Sequence, residues 1–479
     1  MNIAIVHYHL EKGGVTRVIE NTLSSFSKLP DSPNFVVLSG REYKGKRIKN
    51  VKVVEGLDYC SCNNSTSAID LKQKMENAAI EAFSQKPDLW HIHNHSLGKN
   101  PGLTKACHLI ASSSYPILLH IHDFAEDGRP SNFHSLKEVY DKTYPTSPNI
   151  HYAVLNQRDF SFIQNLLQGS PSKAHLLANA LPSKTKNKQS KIKSSNLPEN
   201  LFLYPVRAVR RKNLGELALL ACTYDNLSFA NSLGPTNSNF ISTFNRWKEF
   251  CKNLNIPVSF GIGENLEYSF EEIMNSVSGI VTTSIAEGFG LGFLEPWTFN
   301  KFLNGRNIPD ITEDFSKLGV KLDHMYSRVE IDFDHIKNKT ILRPKIEHVM
   351  TKFFSDYGIN PPKDAVDRAF NDIVKNNRID FGRIDEPLQE EIILSVSKSE
   401  NAKNDIKEQT KIGYSNSQLI SENALAIEKS FALDSYRDRL QKIYRLLCSS
   451  ESRSIEFANG NNLLQSFLTP ERINLLRTT

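Results

Sequence analysis

The chain has 479 residues, 39% of them hydrophobic and 23% charged, with a formal net charge of +5. That is too long for one ordinary core and suits two or three domain-sized units, while the composition excludes disordered and fibrous classes. The spread of basic residues argues against nucleic acid, and the lack of a signal-like start or a run of about 18 apolar residues leads us to expect a cytoplasmic protein without a transmembrane segment, peripheral membrane association being the variant. The six cysteines, Cys60, Cys62, Cys107, Cys222, Cys251 and Cys448, form no disulfide or metal-binding framework and read as reduced thiols.

In chain order, Asn2–His7 reads as a buried strand running through Gly13 and Gly14 into the helical pattern of Val18, Ile19 and Leu23. Phe35–Leu38 is a second strand, Ala68–Phe83 a helix, and Asp88–His95 a strand with polar residues gathered at its C-terminal end, where open parallel sheets place ligands. His91, His93 and His95 alternate and share a face. Without a carboxylate or cysteine at metal spacing, they fit hydrogen-bonding or core roles better than a metal site. Pro116–Phe124 is another buried strand ending in His122 and Asp123, followed by a loop with Glu126, Asp127 and Arg129. The runs 152–156 and 174–180 close the first unit.

Lys184, Lys186, Lys188, Lys191 and Lys193 mark a solvated linker more simply than a membrane or polyanion site. A second α/β unit begins at Leu201–Arg207. Arg207 and Lys212 stand five residues apart in a run that on its own reads as a solvated basic turn. A helix follows over 215–223, then a glycine-poor segment, the run 259–263 and a helix over 270–277. The buried strand Gly279–Thr283 leads into a loop carrying Gly288, Gly290 and Gly292, and a helix starts at Phe293 with Pro296 in its first turn. Strand, glycine loop and helix start together suit an anion. Glu287 and Glu295, eight residues apart, are acceptors suited to vicinal hydroxyls of a sugar or ribose. Residues from about 340 to 425 read as helical, and Asp332-Phe333-Asp334 is an isolated D-x-D. Tyr436, Leu440, Ile443, Tyr444 and Leu447 line one face of an amphipathic helix.

The run E-G-F-G-L-G-F-L-E from Glu287 to Glu295 resembles the E-x7-E motif of retaining, nucleotide-sugar-dependent glycosyltransferases of the GT-B fold, most closely family four. Arg207 and Lys212 match that family's R-x4-K pattern, and the strand ending His122-Asp123 is similar to its histidine strand. The resemblance implies an α/β architecture of two Rossmann-like domains facing across a cleft, with an added helical C-terminal region. Its expected boundaries are 1–182 for the acceptor domain, 183–200 for the lysine-rich linker, 201–425 for the nucleotide-sugar domain with its extension from about 340, and 426–479 for a crossover helix and tail.

It implies catalytic roles for His122, Glu287, Arg207 and Lys212. Donor binding would fall to Gly13, Gly14, Arg207, Lys212, Glu287, Gly288, Phe289, Gly290, Leu291 and Glu295, with Glu287 on the transferred sugar and Glu295 on the ribose. His93, Asp123, Glu126, Asp127 and Arg129 would hold the acceptor, a saccharide, small polyol or lipid-linked glycan. No metal or other cofactor is expected. The chain departs from the family at Ala178-Asn179-Ala180, where Pro-Asn-Gly is usual, and at Ala230–Asn237, where a glycine-rich turn is common. A nucleotide-sugar epimerase, a sugar phosphorylase and a non-catalytic nucleotide-sugar-binding protein are the alternatives.

Overall fold

The computed structural model describes residues 1–27, 29–60, 67–181, 197–265, 269–413 and 415–476. Cys62 and the lysine cluster at 184–193 lie outside them; the five described cysteines form no disulfide with one another. The chain divides into two compact units. One is Met1–Ser183 with Glu428–Thr469, and the other is Lys184–Ile427 with Pro470–Thr479.

The first unit is built on seven parallel strands: β1 (Asn2–His7), β2 (Asn34–Ser39), β3 (Val51–Val53), β4 (Leu89–His93), β5 (Ile117–His120), β6 (Ile150–Val154) and β7 (Lys173–Leu176). Their order is β3-β2-β1-β4-β5-β6-β7, with helices such as Gly14–Phe26 and Ala68–Phe83 between them. Every residue of β1 is buried, because a parallel sheet is covered on both faces. The two-residue alternation of the strand sorts its side chains. Ile3 and Ile5 enter a core with Tyr436, Leu440, Ile443 and Leu447 of the helix Leu433–Cys448, and Ala4 and Val6 enter another with Leu71, Met75 and Leu103. The amphipathic stripe expected near residue 440 therefore packs into the first unit.

The second unit has five parallel strands: β8 (Leu201–Arg207), β9 (Ser228–Leu233), β10 (Val258–Phe260), β11 (Gly279–Thr282) and β12 (Leu303–Gly305), ordered β10-β9-β8-β11-β12. Both sheets thus share the 3-2-1-4-5 core order of a Rossmann fold. The region from 340 is helical, but its helices alternate with an antiparallel sheet of Glu330–Asp332, Val374–Lys375 and Arg378–Asp380. Helix Glu386–Val396 packs on helix Leu214–Thr223, so this region belongs to the second unit's body. The last residues also differ from expectation: Arg383 donates to the carbonyls of Glu471 and Ile473, which ties the tail to the second unit. No described helix is long and apolar enough to cross a membrane.

Candidate active site

In the second unit, the end of β11 is fastened to the loop after β8. The Thr283 hydroxyl lies within hydrogen-bond distance of the carbonyls of Lys212 (3.0 Å) and Asn213 (3.1 Å), and Ile285 N–H donates to the Arg211 carbonyl (3.0 Å). This brings the two sequence motifs together. Lys212 Nζ donates to Glu287 Oε1, which also accepts from Ser284 Oγ at 2.6 Å, and Tyr204 Oη lies 2.5 Å from Ser284 Oγ. With 13% and 15% side-chain exposure, Lys212 and Glu287 form a pair largely shielded from water. Burial pulls the Lys212 ammonium down from its ordinary range, and the Glu287 carboxylate opposes that shift. Burial and the nearby Glu287 charge push the Tyr204 hydroxyl up.

Arg207 is exposed at the end of β8 and donates to the Gly234 carbonyl at 3.2 Å, so it shares no partner with Lys212 among the described residues. Arg210 forms a two-pronged pair with Glu386 at 2.7 and 2.8 Å. Arg207 and the exposed Arg211 have no carboxylate partner among the described residues. Sequence reasoning did not single out Tyr204, Ser284, Arg211 or Glu386. Only the R-x4-K run, which contains Arg211, carried a signal for any of them.

Of the loop glycines, Gly290 alone is at positive φ (+87°), and a Cβ there would lie 2.9 Å from Ile311 Cγ2. Gly288 and Gly292 have open space where a Cβ would be. Phe289 is buried against Phe315, Leu291 is exposed, and half-buried Glu295 opens the helix. The helix expected from Phe293 is shorter than the sequence suggests. A 3-10 turn over Leu291–Phe293 precedes only Glu295–Thr298, and the chain then turns through Asn300 at φ +58°, so the helix contributes little dipole. The glycine-poor segment forms a turn in which Gly234 N–H donates to Glu264 Oε1 at 2.8 Å. The D-x-D is engaged locally: Asp332 Oδ1 accepts from Asp334 N–H, and Asp334 pairs with Lys339.

In the first unit, Gly13 and Gly14 open the helix Gly14–Phe26 from an exposed loop, where a Cβ on Gly14 would meet nothing within 4 Å. The C-terminal ends of β1, β4 and β5 carry five buried imidazoles, His7, His91, His93, His120 and His122. His93 Nδ1 lies 2.8 Å from His122 Nε2; His91 Nε2 lies 3.1 Å from His120 Nδ1, and His91 Nδ1 lies 2.8 Å from Tyr444 Oη. Burial, reinforced by neighbouring imidazoles, holds His7 and His91 down to about 3 and places His93 and His120 well below their ordinary value. Burial lowers His122 to about 4, with Asp123 opposing. These rings are neutral at pH 7.

The ring nitrogens of His91, His93 and His120 lie within 4.8 Å of one another, a grouping that could receive a cation. His95, the third member of the sequence trio, instead donates from Nε2 to the Thr143 carbonyl (3.0 Å), so His120 takes its place in the cluster. Among the expected acceptor residues, Asp123 and Arg129 pair at 2.5 Å, and Asp127 lies 3.7 Å from Arg158. Glu126 corrects the sequence reading: it is fully buried and accepts from Tyr140 (2.9 Å) and Tyr144 (2.7 Å), an internal bracing role without surface access.

No family model matches the chain. The mannosylglucosyl-3-phosphoglycerate synthase of Petrotoga mobilis is 26% identical over 523 aligned residues, covering 99% of each protein. Among solved structures, the sucrose-phosphate synthase of Thermosynechococcus elongatus superposes with a TM-score of 0.51 at 12% identity, covering 93% of this chain and 99% of that one. A Rickettsia africae glycosyltransferase gives 0.51 at 14% identity over 94% and 98%, and Anabaena HepE in complex with UDP gives 0.52 at 12% identity over 92% and 99%. The fold is GT-B. Together with the full-length relative, it supports glycosyl transfer as the activity.

Proposed function

We propose that this GT-B glycosyltransferase moves a hexose, with retention of anomeric configuration, from a nucleoside-diphosphate sugar to a hydroxyl of a phosphoglycerate-bearing sugar acceptor. The carrying observation is the clamp of Lys212, Glu287 and Ser284, which joins the basic loop after β8 to the glutamate loop after β11. In this reading Lys212, Arg207 and Arg211 supply positive charge to the departing diphosphate. Fixed charge aimed where negative charge develops lowers the barrier without a metal. Lys212 is held in place by Glu287 before donor arrives, so little reorganisation is left for the reaction. Glu287 contacts the transferred sugar, Glu295 the ribose hydroxyls, and His122 the sugar near its reacting carbon.

The bond from the anomeric carbon to the diphosphate oxygen breaks as the acceptor oxygen bonds to the same face, and the acceptor proton passes to the departing phosphate. No protein nucleophile is required. The acceptor class rests on the name of the Petrotoga relative, whose product carries two sugars on 3-phosphoglycerate.

The test is incubation with UDP-, GDP- and ADP-linked glucose and mannose, offered 3-phosphoglycerate or its glucosyl derivative, with mass spectrometry for gain of one hexose and NMR for the new anomeric linkage. Transfer with an inverted linkage would refute retention. Conversion of donor to an epimer without acceptor would mean an epimerase, and donor binding without turnover across the panel would mean a binding protein.

A further inference from the structure

The buried imidazoles carry more than their packing. A neutral imidazole has one N–H and one bare nitrogen, and its partners decide which is which. Three ring nitrogens in the stack are buried without a partner among the described residues: His7 Nδ1, His93 Nε2 and His120 Nε2. A buried N–H without an acceptor is the rarer and costlier defect, so these orphaned atoms are the bare ones. The protons of His93 and His120 are therefore on Nδ1.

Two consequences follow from the contacts. His120 Nδ1–H donates to His91 Nε2 at 3.1 Å, which leaves the His91 proton on Nδ1 for the Tyr444 oxygen at 2.8 Å. His93 Nδ1–H donates to His122 Nε2 at 2.8 Å, so that atom is bare and the His122 proton sits on Nδ1. The two ring pairs are nearly parallel, at 14° and 17°, which directs both hydrogen bonds close to the ring planes. One rule thus puts all four rings in the same tautomer, with the proton on Nδ1.

The backbone of His122 is fixed as well. Its N–H donates to Asn94 Oδ1 at 2.7 Å, and Asn94, at φ +55°, has its carbonyl held by the Tyr8 hydroxyl at 2.6 Å. His122 Nδ1 has no protein partner among the described residues, and it is not sealed in as the orphaned nitrogens of His93 and His120 are.

We infer that His93 is a positioning residue: through its hydrogen bond to Nε2 it locks His122 in the Nδ1–H tautomer and so makes His122 a hydrogen-bond donor toward the transferred sugar. This rests on the proposed contact between His122 and the sugar. It moves His93 from the acceptor-binding set to a place behind His122.

Nitrogen-15 NMR of histidine-labelled protein tests the tautomer without any substrate. His122 is expected with Nδ1 protonated and Nε2 bare, and the reverse pattern overturns the inference. His93→Phe keeps a ring and removes the donor, whereas His93→Asn places an amide N–H near the lost Nδ1. His93→Phe should release His122 to the Nε2–H form and lower kcat about a hundredfold with donor KM little changed, the loss expected when an aimed donor is misdirected. His93→Asn should retain the tautomer and most of the turnover. If His122→Ala abolishes turnover while His93→Phe keeps it, the inference fails and the functional reading stands. If His122→Ala keeps turnover, the sugar contact of His122 is refuted and the role of His93 falls with it.

Discussion

The two units solve the same architectural problem with opposite electrostatics. Each closes a parallel sheet of 3-2-1-4-5 core order, and each gathers polar side chains at or beyond the C-terminal ends of its strands. The first unit fills that region with imidazoles kept neutral by burial. The second fills it with paired charges: Lys212 with Glu287, Arg210 with Glu386, and Arg306 between Glu216 and Asp380. Neutral rings satisfy one another only while unprotonated. Ion pairs hold only while both members are present. The first arrangement is thus vulnerable to pH and the second to truncation.

Acid should separate the two units most strongly. The buried histidines have folded-state values below the ordinary 6.5, with His7 and His91 at about 3 and His95 and His122 at about 4. Between pH 6.5 and about 4 the unfolded chain therefore binds more protons than the folded one, and stability falls as pH falls. Above 6.5 these groups add no pH dependence. Each fully shifted imidazole costs about 1.4 kcal/mol per pH unit in that window, and the others, His93 and His120 included, act in the same direction. Trp90 is the first unit's tryptophan. In a variant retaining it alone, the urea midpoint followed by fluorescence should be level from pH 8 to 7 and drop steeply from 6 to 5. A level midpoint down to pH 5 would erase the contrast.

The converse experiment removes a charge. Arg306 donates to Glu216 at 2.7 and 3.0 Å and to Asp380 at 3.0 Å. Burial alone would pull its guanidinium down, but the two carboxylates hold it charged. Arg306→Met should cost the second unit about 3–5 kcal/mol, because two buried carboxylates lose their counterion. Chemical denaturation should show the loss in the second unit's transition, and a loss below about 1 kcal/mol would mean that water or another residue takes over.

Smaller energies divide the motif. Lys212→Ala should raise the barrier by about 3 kcal/mol, read as kcat at saturating donor. Glu287→Gln should lower kcat more than it raises donor KM, and Glu295→Gln the reverse, since a ribose contact is made alike in ground and transition states. Steady-state kinetics giving the opposite pattern would exchange the two roles. The smallest expected effect is none: activity should persist in EDTA. Loss restored by a divalent cation would move attention to His91, His93 and His120.

Much of the second unit's site was legible because its parts are local. Glu287, Gly290 and Glu295 fall within nine residues, and Arg207 and Lys212 within six, so two short runs were enough to carry the resemblance that suggested their roles; the structure joins Lys212 to Glu287 and leaves Arg207 on the Gly234 carbonyl. The imidazole stack was not. Its hydrogen bonds join residues 29 apart, set by the register that places His93 beside His120, and Tyr444 is 353 residues from His91. The small sheet at 330–380 escaped notice because strands of two or three residues are too short to show a period of two. The short helix after the glycine loop was overestimated because Pro296 marks where a helix starts, whereas its end is set by Asn300 turning left-handed.

The first unit's core depends on the helix Leu433–Cys448, which follows every strand of the second unit in the chain. Until then Ile3, Ile5 and Leu118 lack that partner, and His91 lacks the Tyr444 hydroxyl. The nascent chain therefore carries an unfinished N-terminal sheet while the strands of the second unit are synthesised. A sheet begun before the second unit is completed only after it, and its open apolar face is where a chaperone would have to act.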